Sequence, residues 1–143
     1  MSSLQRNTLN KELLSKIKKD LEPLSKFEVV IYGSLVKGES TLRSDIDVAV
    51  ITREKDEEKN MKTYWDIIGL NHEPYDIKIF ELLPLYIKAQ VLRDYIVLFG
   101  DVLEISEYFY SWWKIWRDME KRYLENQDVN LKEIIKKIRK SEP

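Results

Sequence analysis

Residues 27–51 read FEVVIYGSLVKGESTLRSDIDVAVI, two apolar runs that meet across one glycine-bearing turn and a polar connection. Each run is too short for an ordinary helix and rich in Val and Ile, so Phe27 to Tyr32 and Asp45 to Ile51 are predicted as strands. Gly33-Ser34 follows the first, and after ten intervening residues Asp45 and Asp47 open the second. A sheet built on these strands must place two carboxylates on one of its faces, which limits the folds available to the chain.

Side chains alternate along a strand, so Asp45 and Asp47 share a face with Cα atoms ~6.6 Å apart, while Ile46, Val48 and Val50 point into the core. A third predicted strand, Tyr75 to Phe80, carries Asp76. Laid alongside at ~4.8 Å, it brings Asp76 to the same face and leaves Tyr75, Ile77 and Ile79 for the apolar side. Three clustered carboxylates raise one another's pKa, whereas Mg²⁺ holds them ionised at neutral pH. A metal site at Asp45, Asp47 and Asp76, holding two ions, is therefore the expectation. A purely structural role would require buried partners that the sequence does not supply.

The turn answers a different need. Gly33 lets backbone approach an anion closely, and Ser34 offers its hydroxyl and N–H at the start of a short helix through Leu35 to Lys37. Lys37, and secondarily Arg43 or Lys78, would set positive charge against a phosphate.

The rest of the chain reads as a single α/β domain of 143 residues. Leu9, Leu13, Leu14, Ile17 and Leu21 predict a helix over 10–21, capped by Thr8 or Asn10 and stopped by Pro23. The charged run Glu54 to Asn60 is expected in solvent. A helix over 61–70 would then turn Met61, Trp65 and Ile68 onto the sheet. Pro84 starts a helix reaching about Arg93, Ile96 to Phe99 forms a short strand, and helices follow over about 105–125 and around Leu131 to Ile138.

Composition excludes more than it assigns. With 25 acidic against 24 basic residues, the net charge gives no reason to expect nucleic acid or an anionic membrane as partner. The absence of cysteine removes disulfides and thiolate metal sites. No apolar run approaches ~18 residues, and the start does not read as a signal peptide, so a cytoplasmic protein is expected. Charged residues make up 34% of the chain, with Lys and Glu dominant, the bias of hyperthermophile proteins.

Gly33, Ser34, Asp45, Asp47 and Asp76 resemble the signature of the nucleotidyltransferase superfamily that includes DNA polymerase beta. The stretch LVKGESTLRSDID is most similar to its minimal nucleotidyltransferase (MNT) branch, with Lys37 where arginine is common. The likeness covers a core of about 27–100, and 101–143 reads as a helical extension. The resemblance implies a small mixed sheet, helices mainly on one face and acids on the other, with ATP as substrate and Mg²⁺ as cofactor. Asp45 and Asp47 would hold the metal on the triphosphate, while Asp76 would bind a second ion and help deprotonate an acceptor hydroxyl.

Many MNT proteins are antitoxins that transfer AMP to a tyrosine of a partner HEPN-domain ribonuclease. The compact chain favours that assignment over a small-molecule transferase, and the intact acids favour it over a vestigial module that neutralises its partner by binding alone. A homo-oligomer is compatible with either. The run Tyr108, Phe109, Tyr110, Trp112, Trp113 and Trp116 is expected mainly in the core, with one of the adjacent tryptophans at a rim that suits a partner. His72, the one histidine, stands in a turn without a companion ligand.

Overall fold

The computed structural model describes residues 9–38, 45–125, 136, 137 and 139. Helix α1, Lys11–Asp20, is capped by Asn10, whose side chain accepts a hydrogen bond from the Leu13 N–H at 2.8 Å. A 3-10 turn at Glu22–Leu24 leads into β1, Glu28–Tyr32, and the four-residue helix α2, Ser34–Lys37. Strand β2, Ile46–Ile51, helix α3, Glu57–Ile67, and strand β3, Tyr75–Ile79, follow. Helix α4, Leu85–Arg93, strand β4, Tyr95–Phe99, and the long helix α5, Val102–Glu125, complete the order.

The sheet runs β3-β2-β1-β4. Strand β1 is antiparallel to both β2 and β4, whereas β2 and β3 are parallel. A parallel pair needs a crossover, and α3 supplies it. One face of the sheet buries Val29, Ile31, Val48, Val50, Ile77 and Ile79 against Ile17 and Leu21 of the α1 segment, Leu35 of α2 and Ile67 of α3. The other buries Val30, Tyr32, Ala49 and Ile51 against Val91 of α4 and Ile105 and Phe109 of α5. Helices α1, α2 and α3 thus share the face opposite the acids, and α4 and α5 cover part of the acid-bearing face.

Two expectations are overturned in the same helix. The charged segment does not stay outside as a whole, because α3 begins at Glu57 and Asn60 is buried. Asp56 caps the helix by accepting from Glu58 N at 2.9 Å, and Asn60 donates to the Glu54 carbonyl at 2.8 Å. The phase of the helix is accordingly rotated from the predicted one. Asn60, Tyr64 and Ile67 turn inward, whereas Met61, Trp65 and Ile68 are 38%, 61% and 39% exposed. Hydrogen bonding, rather than hydrophobicity, selects the buried face.

The aromatic run is only partly core. Phe109 and Trp116 are buried, Tyr108, Trp112 and Trp113 are half-buried, and Tyr110 is exposed. The Lys88 ammonium is buried beside Trp112, 4.5 Å from its ring centroid, and donates to the Leu83 carbonyl at 2.8 Å. Thr8, Arg43 and the predicted helix around Leu131 to Ile138 fall on or across positions outside the described residues.

Candidate active site

The register of the sheet builds a row of four side chains across one face. Asp76 pairs with Asp47, Asp47 with Tyr32, and Tyr32 with Tyr95. Directly paired residues point to the same side, so the two aspartates stand side by side on neighbouring strands, as the alternation predicts. Asp45 lies just before β2, exposed, and its charge acts on Asp47.

The neighbourhood of Asp47 is electrostatically unfinished. Partial burial, and then the charge of Asp76, push its carboxyl up from 3.8 to about 6, with Lys78 acting the other way and Asp45 adding to the rise. Lys78 Nζ stands 3.7 Å from Asp76 Oδ2. Among the described residues, none donates a hydrogen bond to the Asp47 carboxylate.

Gly33 explains how close the turn comes. Its φ is +82°, and a Cβ there would fall 2.3 Å from Asp47 Oδ2. The absence of a side chain is what lets the turn lie against the acid. Ser34 begins α2 directly afterwards, and Lys37 N donates back to the Gly33 carbonyl at 3.2 Å. The amides of Ser34, Leu35 and Val36 belong to the first turn, where a helix offers them no acceptor of its own. Lys37 is half-buried in the last turn of α2.

This donor set suits a divalent cation. It consists of hard carboxylate oxygens, among them those of Asp47, held against a glycine and raised in pKa by partial burial and by the charge of Asp76. As the side chains stand, no three acidic or histidine groups among the described residues converge on one point. The structure brings Asp47 and Asp76 together and leaves Asp45 at the exposed lip, so a three-carboxylate site requires Asp45 to turn inward.

Two members of the row were not singled out from sequence. Burial, followed by the charges of Asp47 and Asp76, raises the Tyr32 hydroxyl and keeps it protonated beside the acids. Tyr95 packs edge-on against Phe109, with ring centroids 4.8 Å apart. Their signal was the pairing register, which local sequence does not carry. His72 is exposed, and its Nδ1 lies 3.0 Å from the Glu73 carbonyl.

Comparison with known proteins agrees with this geometry. The family described as "Polymerase beta, Nucleotidyltransferase" matches residues 10–102. A Methanocaldococcus jannaschii protein named as a candidate protein adenylyltransferase is 49% identical over 107 residues, covering 75% of this chain and 83% of that one. A toxin-antitoxin structure with AMP-PNP superposes with a TM-score of 0.61 at 19% identity, covering 82% of this chain and 98% of the other. The complex of tri-AMPylated Shewanella oneidensis HEPN toxin with MNT antitoxin gives 0.56 at 15% identity, covering 82% and 95%. At such identities the solved structures speak for the fold, and the sequence matches speak for descent. With the paired aspartates on adjoining strands beside a glycine turn, and the family match spanning α1 to the start of α5, the chain belongs to the polymerase beta nucleotidyltransferase family.

Proposed function

We propose that this protein is an ATP- and Mg²⁺-dependent adenylyltransferase that modifies a tyrosine hydroxyl of a partner HEPN ribonuclease and so acts as its antitoxin. The observation that carries the reading is the Asp47–Asp76 pair beside Gly33, an acid site in which no group among the described residues donates a hydrogen bond to Asp47, in a chain of this family. The name of the Methanocaldococcus jannaschii relative supports protein as acceptor, and the fold shared with MNT antitoxins supports a HEPN partner.

In this reading Asp45, Asp47 and Asp76 hold the divalent ions, and the first-turn amides from Ser34 receive triphosphate oxygens. Lys78, and from its place in α2 Lys37, would add positive charge near the phosphates. When bound, Mg²⁺ neutralises the triphosphate and makes its α-phosphorus more electrophilic. Asp76 takes the proton of the acceptor hydroxyl. The freed oxygen forms a bond to the α-phosphorus, the bond from that phosphorus to the β-bridging oxygen breaks, and pyrophosphate departs with the electron pair. Tyr32 stays neutral beneath this step, so it adds no further negative charge. Catalysis rests on positioning and charge neutralisation.

Incubation with α-labelled ATP, Mg²⁺ and the purified HEPN protein encoded with this chain should label that protein. The Asp45→Ala, Asp47→Ala variant should not. Equal labelling by both would remove the proposal. Full neutralisation of the toxin by the double variant, with no transfer by the wild type, would favour a module that acts by binding alone.

A further inference from the structure

The α3 residues predicted to pack on the sheet instead form an exposed stripe. Met61, Trp65 and Ile68 follow i, i+4, i+7 spacing and therefore lie on one side of the helix segment. Trp65, 61% exposed, meets the Tyr64 ring edge-on, with ring centroids 6.0 Å apart. A large aromatic left outside beside two further apolar residues is the usual mark of a contact surface. Glu57, Glu58 and Asp66 surround it, and among the described residues Lys62 is the one cation lining the same depression.

This stripe is continuous with the acid site. Met61 also lines a second depression together with Tyr64, Lys78 and Leu82, and Lys78 is 3.7 Å from Asp76. Strand β3 is the edge of the sheet, so a molecule seated on α3 meets no further strand before it reaches Asp76. Among the other exposed apolar residues, Tyr110 lines a depression with Tyr95 and Trp113 at the β4 end of the row, the end away from Asp76. Val102 and Leu103 follow the Phe99 end of β4, whereas the acid row crosses β4 at Tyr95.

Building on the function proposed above, we infer that the Met61–Trp65–Ile68 face of α3 is the docking surface for the acceptor protein. It delivers the acceptor's tyrosine past Lys78 to Asp76. The occupant has an apolar pocket for Trp65 inside a rim of Lys and Arg, complementary to Glu57, Glu58 and Asp66. A ribonuclease meets that description, because it needs cations to hold RNA phosphates. A small-molecule acceptor would reach the acids without using this face.

The test compares the full-length wild type with Trp65→Ala and with Glu57→Lys, Glu58→Lys, using the purified HEPN protein as acceptor. Trp65 is exposed, so its replacement leaves the fold intact, and melting curves verify this. The expected result is a rise of about tenfold or more in KM for the HEPN protein, with kcat and the KM for ATP unchanged. The double charge reversal should raise the same KM and flatten its dependence on salt.

Values within twofold of wild type would overturn the docking surface while leaving the adenylyltransferase reading intact. If the wild type transfers nothing, that reading fails. Titration of the HEPN protein with both forms then decides the surface alone, since unchanged affinity in Trp65→Ala overturns it and a tenfold loss supports it. Sedimentation of the isolated chain covers the remaining occupant. A wild-type dimer that Trp65→Ala dissociates would assign the stripe to a second copy and overturn the inference.

Discussion

Two carboxylate sites stand at opposite ends of β2, and their surroundings could hardly differ more. Beyond its C-terminal end, Glu81 accepts hydrogen bonds from Thr52 N at 3.0 Å, Thr52 Oγ1 at 3.1 Å, Arg53 N at 2.9 Å and the Tyr108 hydroxyl at 2.6 Å. Arg53 adopts a left-handed φ of +59°, grips Glu28 through Nε at 2.6 Å and Nη2 at 2.9 Å, and lies over the Tyr108 ring. Near the N-terminal end, Asp47 faces other carboxylates and a bare glycine. The first carboxylate has the donors it needs from within the chain. The second has Lys78 as a partial counter-charge but, among the described residues, no hydrogen-bond donor, which leaves it open to a ligand, and this separates a structural acid from a functional one.

The largest expected effect that would test this contrast is at Asp47. Asp47→Asn should lower the rate of AMP transfer by about a thousandfold, roughly 4 kcal/mol of transition-state stabilisation. The metal-free protein should melt no lower than wild type, because the substitution removes a repelled charge. Single-turnover labelling and thermal melts check the two halves, and a marked loss of stability would make Asp47 a structural residue.

Glu81 should behave in the opposite sense. Glu81→Ala strands the Thr52 and Arg53 amides and the Tyr108 hydroxyl, at a cost of about 2–3 kcal/mol. Urea unfolding measures it. Transfer activity per folded molecule should stay near wild type, and a loss comparable with that of Asp47→Asn would erase the distinction between the two ends.

The smallest effect is a pH dependence. In the metal-free fold Asp47 titrates at about 6 against an ordinary 3.8, so the folded state favours its protonated form. Stability from this group is fully present below 3.8 and is lost as pH rises through 6. Two units would amount to about 3 kcal/mol, but solvent screening of a half-exposed group reduces that to about 1 kcal/mol. The wild type should therefore lose about that much more stability than Asp47→Asn between pH 4 and pH 7. Mg²⁺ at pH 7 should restore it to the wild type alone. Parallel pH profiles for the two proteins would show that the acid is already compensated.

Much of the site was readable before folding was considered. The Val and Ile runs, the glycine between them and the period-two placement of Asp45, Asp47 and Asp76 are local features, and strand alternation converts them directly into a shared face. Helix α3 was misread because both of its stripes carry apolar residues. The buried stripe includes Asn60, which a hydrophobic pattern assigns to solvent, and its side chain lies 2.5 Å from Thr52 Oγ1. Glu81 was passed over for a related reason, since all its donors are distant in sequence or supplied by backbone.

By itself, then, the sequence determined which segments extend, where the chain must turn through a glycine and which residue types line the site, because these depend on backbone sterics and alternation within a few residues. Only the tertiary structure decided that β3 runs parallel beside β2, setting Asp76 against Asp47. It also decided that Trp65 faces outward, and that Glu81 gathers four hydrogen bonds whereas Asp47 receives none from the described residues. Those outcomes depend on which distant groups meet, and long-range hydrogen bonds and packing fix that choice.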